Sequence, residues 1–200
     1  MNAQINEVLD FWFGPSGSAV EIAGRQRKLW FGKLPVYDQA VVERFSATLI
    51  GATAGQFEHW TNTPRGRLGL IIVLDQFPHH IHRDQAEAFA SDSHALVLSM
   101  AALEASEDQQ LTPIERVFLY LPLEHAETLA MQDLSVSLYE KLARETPADE
   151  HALFNDFLSY ARQHREVVLR FGRFPHRNAL LGRHSSPEEL AFLKQPGSRF

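Results

Sequence analysis

The chain of 200 residues contains no cysteine. That absence excludes a disulfide framework, thiolate zinc sites, iron–sulfur ligation and a cysteine nucleophile together. Long apolar runs are also missing. The longest, Leu68 to Leu74 counting Gly69, falls far short of the roughly 20 residues of a membrane span. The N-terminal MNAQINEVLD has no basic segment leading into an apolar core, so no secretory signal and a cytoplasmic location are expected. There is no GxSxG elbow, GxxxxGK[ST] loop, GxGxxG turn or HExxH helix. The usual serine-hydrolase, nucleotide, dinucleotide and zincin readings go with them. A net charge of −6 argues against broad nucleic-acid binding, which needs a basic footprint.

What is present reads as one ordinary globule, 44% apolar and 22% charged, long enough to bury its own core. Apolar stripes recur at helical spacing. Ile5, Val8, Leu9 and Trp12 form one, stopped at Gly14-Pro15-Ser16-Gly17. Val41, Phe45, Leu49 and Ala52 form a second, and Leu96, Met100 and Leu103 a third. Phe157, Ala161, Val168 and Phe171 mark a long C-terminal helix. Helix starts are signalled by Thr112-Pro113-Ile114-Glu115 and Ser186-Pro187-Glu188-Glu189. Each has a hydroxyl at N-cap, proline at N1 and glutamate at N3. Thr146-Pro147-Ala148-Asp149 is a close variant and Asp84-Gln85-Ala86-Glu87 a weaker one. With almost no period-2 alternation, the chain reads as all-α. Residues 1–184 are expected to form one helical domain, and 185–200 a capping helix and tail. The β-branched stretch Leu68–Leu74 would have no partner as a lone strand, so a buried central helix starting near Thr63-Pro64 is expected.

Four clusters can carry chemistry. Asp75 and Gln76 follow the buried helix just before Pro78, which has no N–H for the Leu74 carbonyl, so a kink or stop is expected there. The pair reads either as a polar site at a helix break or as a packing ion pair with an arginine. His79, His80 and His82 invite a metal, but near-neighbour histidines in a loop point to different sides, and no metal is assigned. In Tyr120-Leu121-Pro122-Leu123-Glu124-His125-Ala126-Glu127 the two glutamates fall with Tyr120 and Met131 on one helical stripe. Two carboxylates on a partly apolar face can have separated pKa values, as an acid and a base need; an arginine-paired edge is the alternative. His164 shares the apolar face of the long helix and reads first as a satisfied core histidine. Beyond it, Arg170-Phe171-Gly172-Arg173-Phe174-Pro175-His176-Arg177-Asn178 alternates bases with phenylalanines. Its guanidinium groups suit a carboxylate or phosphate, or the protein's own Asp75, Glu124 and Glu127.

VLDFWFG near the start, LDQFP at Leu74 to Pro78, FLYLPLEHAE at Phe118 to Glu127, RFGRFPHRNALLGR at Arg170 to Arg183 and SSPEELAFL from Ser185 together resemble the bacterial family labelled domain of unknown function 924. The resemblance spans nearly the whole chain and implies an all-helical, tetratricopeptide-like superhelix of antiparallel helices. It brings no reaction. It departs at His79, where the family motif commonly has arginine.

Two functions follow. In the first, Asp75, Glu124, His125 and Glu127 supply acid–base groups. Gln76, His164, Arg173, His176, Arg177 and Asn178 then hold a small anionic molecule between helices, with no cofactor, nucleic acid or membrane involved. In the second, the polar motifs are a structural ion-pair network. Trp12, Phe13, Trp30, Phe31 and Trp60 then serve either the core or a peptide-binding surface of a scaffold.

Overall fold

The computed structural model describes residues 3–198. Met1 and Asn2, and Arg199 and Phe200 at the end of the expected tail, lie outside the described residues. Every regular element among the described residues is helical. The stripe Ile5, Val8, Leu9 and Trp12 is the buried face of α1 (Ala3–Phe13). Gly14 ends it at φ +70°, a left-handed conformation that glycine enters at no steric cost. Next comes α2 (Ala19–Phe31), opened by a capping box between Ser18 and Glu21. In α3 (Pro35–Thr53), Val41, Phe45, Leu49 and Ala52 turn inward as their spacing requires.

Trp60 lies in a short 3₁₀ turn before α4 (Pro64–Ile71). Gly66 is pressed against that turn: a Cβ there would stand 2.2 Å from the Trp60 carbonyl oxygen. The expected central helix is thus present from Pro64, but the proline at 78 does not stop it. The backbone instead widens into a π turn, Ile72–Gln76, and re-enters α5 (Phe77–Ile81), the Phe77 N–H donating back to the Ile72 carbonyl. Pro78 cannot donate to the carbonyl of Leu74, and a π turn absorbs that missing bond without breaking the rod.

The remaining helices are α6 (Asp92–Glu104), α7 (Pro113–Glu124), α8 (Leu129–Glu145), α9 (His151–Phe171) and α10 (Pro187–Phe192). The boxes at Thr112 and Ser186 start α7 and α10 as read. The Thr112 N–H donates to the Glu115 carboxylate at 2.9 Å, and the Ser186 N–H to Glu189 at 2.7 Å. Four expectations are corrected. Thr146 ends α8 and α9 starts only at His151, because residues 147–150 are spent on the turn that reverses the chain. Asp84 is left-handed at φ +59° and leads into a 3₁₀ turn, Ala86–Phe89, with no side-chain cap. In α6 the buried face is Ala95, Leu98, Ser99 and Ala102, so Met100 is exposed; small residues let α6 approach closely where the larger ones would hold it off. Finally, α7 ends at Glu124, so Glu127 and Met131 do not continue its stripe.

The all-helical class holds. A tetratricopeptide-like superhelix is not confirmed, since α4 and its π turn pack on α1, α6 and α7 at once, whereas a solenoid repeat meets only its neighbours. Around that axis the aromatic residues interlock. Trp12 meets Phe118 edge-on at 5.4 Å, Trp30 meets Phe118 at 4.7 Å, and Phe45 stacks on Phe77 at 4.6 Å. Trp12, Phe13, Trp30 and Trp60 are therefore core residues; of the five aromatics read as a possible surface, Phe31 alone is exposed. Truncating Phe118 to alanine should cost about 3–5 kcal/mol of stability in urea unfolding, whereas Met100→Ala should cost less than about 1 kcal/mol.

Candidate functional site

The π turn delivers Asp75 and Gln76 to the inside of the fold, where Asp75 is wholly buried. Its Oδ1 is 2.8 Å from His125 Nδ1, at the end of α7, and its Oδ2 accepts from the Gln76 amide. Burial works against ionising Asp75, but the charge and hydrogen bond of His125, with His79 and Gln76, hold it below the usual carboxylate range. Burial likewise opposes charging His125, and Asp75 prevails, so the imidazole pKa rises. Both directions agree on an ion pair. Because Asp75 takes Nδ1, Nε2 is the nitrogen left to exchange a proton.

His79, from α5, lies edge-on to His125 and to Phe89, each at 5.5 Å between ring centres. Burial first, then the nearby His125 charge, pushes it down to about 3. Its Nε2 is buried without a hydrogen-bond partner. Phe89 also carries Arg177 on its ring at 4.6 Å, and Phe174 covers the same guanidinium at 4.8 Å. Sandwiched in this way, Arg177 donates from Nη1 to Asp92 at 3.0 Å while its Nε has no partner. Burial pushes the Asp92 carboxyl up to about 6 against the pull of Arg177, and its Oδ1 is also unpartnered.

Behind this group, Glu124 is buried and pushed up to about 8 by desolvation. Its Oε1 is 3.0 Å from His164 Nδ1, which lies 2.9 Å from the Tyr160 carbonyl. His164 is held down to about 3 by burial, so Glu124 faces a neutral imidazole rather than a cation. His176 is also held near 3, by burial and then by Arg177.

The fold thus gathers Asp75, Gln76, Glu124, His125, His164, His176 and Arg177 into one cluster, in which His125 and His176 are half-buried and the rest buried. It uses the other expected residues differently. Glu127 takes Arg183 at 2.6 and 2.9 Å and accepts the Phe174 N–H at 2.7 Å. Arg173 forks onto Glu189 at 2.7 and 2.9 Å. Asn178 accepts from Arg183 Nε and donates to Ser185 Oγ, each at 3.0 Å. These three hold the segment after α9 in place. The histidine trio diverges, since His80 turns to Asp38 at 2.8 Å while His79 turns to His125. Two cavities lie apart from the cluster. One of about 450 Å³ lies between α6 and α8, and one of about 340 Å³ beside the start of α4.

Residues 8–197 match the profile of a bacterial family described as protein of unknown function, DUF924. The chain belongs to this family. A solved structure of a protein of unknown function from Agrobacterium tumefaciens is 32% identical to it. The match covers 96% of this chain and 97% of that one, with a TM-score of 0.81. No curated protein matches. In this DUF924 chain two participants escaped the sequence reading. Asp92 resembles an ordinary first-turn acid of α6, and Phe89 sits in a segment without periodicity. Neither carries a local signal, since both act through the distant Arg177.

A group whose folded pKa is raised supports folding fully below its unfolded pKa and loses that support as pH climbs through the folded value. Glu124, moved from 4.5 to about 8, should therefore cost stability as pH rises across that window. His79, His164 and His176, moved from 6.5 to about 3, should cost it as pH falls below 6.5. Thermal unfolding of Glu124→Gln should lessen the decline as pH rises toward about 8, by on the order of 5 °C, leaving the part due to Asp92 and His125, which are also raised, and keep the acid one.

Proposed function

We propose that this protein binds a compact anion at the cluster of Arg177, His79, His125 and Asp92, and that His125 exchanges a proton with it. One observation carries the reading: three buried polar atoms, Arg177 Nε, His79 Nε2 and Asp92 Oδ1, lack partners around a single phenyl ring and its neighbours. A buried unmade hydrogen bond costs about 1–3 kcal/mol; an anion accepts from Arg177 Nε and from His79 as its Nε2–H tautomer, and from Asp92 once that carboxyl, raised to about 6, is protonated. Arg177 supplies the cation, and the two rings fix its plane for bidentate capture. Asp75 orients His125 and stabilises its charged form, as the carboxylate of a His–Asp dyad does. Such a dyad serves hydrolysis and elimination alike. A guest of the size of formate, acetate or phosphate is enough to meet these few atoms.

The saturation of other arginines favours a second reading. Arg170 holds Glu188, Arg173 holds Glu189 and Arg183 holds Glu127, so the polar motifs can equally serve as a lock on the chain after α9. Thermal shift with formate, acetate, nitrate and phosphate separates the two. Under the binding reading, Tm climbs with anion concentration, and saturation at a hundred times Kd adds about 2.7 kcal/mol. The rise should be larger at a pH of about 5.5 than about 7.5, because protonating Asp92 frees Arg177. Arg177→Gln should abolish the response and Arg173→Gln preserve it. A wild type indifferent to all four anions, or an unchanged response in folded Arg177→Gln, would leave the lock as the function of the cluster.

A further inference from the structure

After α6 the chain turns sharply at Ser106, which is left-handed at φ +54°, and enters a 3₁₀ turn, Glu107–Gln110. That turn folds Asp108 inward until only 6% of it is exposed. Its Oδ2 accepts from the Tyr120 hydroxyl at 2.8 Å and from the Gln109 amide at 2.7 Å. Both partners are neutral donors, and none of the ion pairs among the described residues involves Asp108. Neighbouring acids are treated otherwise: Glu107 forks onto Arg67 at 2.7 and 3.2 Å, and Glu115 holds Arg65 at 3.0 Å. A carboxylate this deeply buried ordinarily has a cation beside it.

Asp108 lines the cavity of about 450 Å³ between α6 and α8. Met100 and Leu103 from α6 and Leu134 and Leu138 from α8 give that cavity its apolar walls. Two charges stand with them, Glu104 and Lys141. Lys141 leans on Glu145 at 3.8 Å, one turn along its own helix. The acids on the lining thus outnumber the bases, and the volume lies within the range of small-molecule pockets.

We propose that this cavity is a second binding site, for a small primary amine with an apolar body. The ammonium group meets the Asp108 carboxylate, and the alkyl or aryl part lies between the leucines of α6 and α8. The ammonium donates to Oδ1, since Oδ2 is already engaged by Tyr120 and Gln109. The site is separate from the anion cluster and stands whether or not that cluster binds anything.

Benzylamine, with benzyl alcohol as its uncharged counterpart, tests the proposal by calorimetry and by amide chemical shifts. Benzylamine should bind saturably, with Kd on the order of 1 mM or tighter, and shift the amides of Ser106 to Gln109. Benzyl alcohol and Asp108→Asn should each weaken binding at least about tenfold. The asparagine keeps a carbonyl for Tyr120, and the far-ultraviolet spectrum checks the fold. Met100→Trp, which leaves Asp108 untouched and narrows the opening, should weaken benzylamine as well. Equal binding of the two probes would remove the charge recognition. Absent saturation, or shifts elsewhere on the protein, would overturn the site.

Discussion

A carboxylate cannot be taken wholly out of water without compensation, and Asp75 is taken wholly out of water. Much of the middle of this molecule follows from that constraint. Asp75 draws His125 from the end of α7 and Gln76 from its own turn. Charging His125 then helps to hold His79 neutral beside it. The group sits where α4 ends, and α4 is the element around which α1, α6 and α7 pack. Polar chemistry and hydrophobic core therefore share one rod, with Leu68 and Leu70 to Leu74 buried on all sides just before the acid. A change in the pitch of that rod would misplace both.

The π turn reconciles the two. An ordinary helical turn at 72–76 would leave the Leu74 carbonyl facing a proline that cannot donate. Widening the turn keeps the chain continuous through Pro78 and settles where Asp75 and Gln76 emerge. Such turns often mark functional places in helices. Here the turn stands between the aromatic packing of Phe77, on Trp12 and Phe45, and the ionic group around His125. The protein thus places its irregular backbone at the boundary between its dry core and its polar cluster.

The chain beyond α9 is organised by a different set of forces. Gly172 closes the helix in the left-handed region, and Glu127, Arg183, Asn178, Arg173 and Glu189 tie the following segment down through charge-assisted bonds. These pairs are part-exposed and individually modest, but several acting on one short segment fix its course. That course brings Arg177 between Phe89 and Phe174. Two of the arginines the sequence marks as ligand-binding thus play unlike parts: Arg173 fastens the segment, and Arg177 is what the segment presents.

Local physics was legible in the residues alone. The stripes of α1, α3 and α9, the boxes at Thr112 and Ser186, and the buried helix from Pro64 rest on spacing and capping within a few positions of the chain. Sequence displays such features directly. The phase of α6, the late start of α9 and the end of α7 at Glu124 depended on which neighbour each helix meets, and periodicity does not carry that. The site divides in the same way. Asp75, His125, Glu124 and Arg177 stood out as polar residues in apolar surroundings, whereas their partners were decided by the tertiary fold. Arg177 sits 85 positions from Asp92, and Asp75 50 from His125. Burial created both needs, and only the packing of distant helices determined which residues met them.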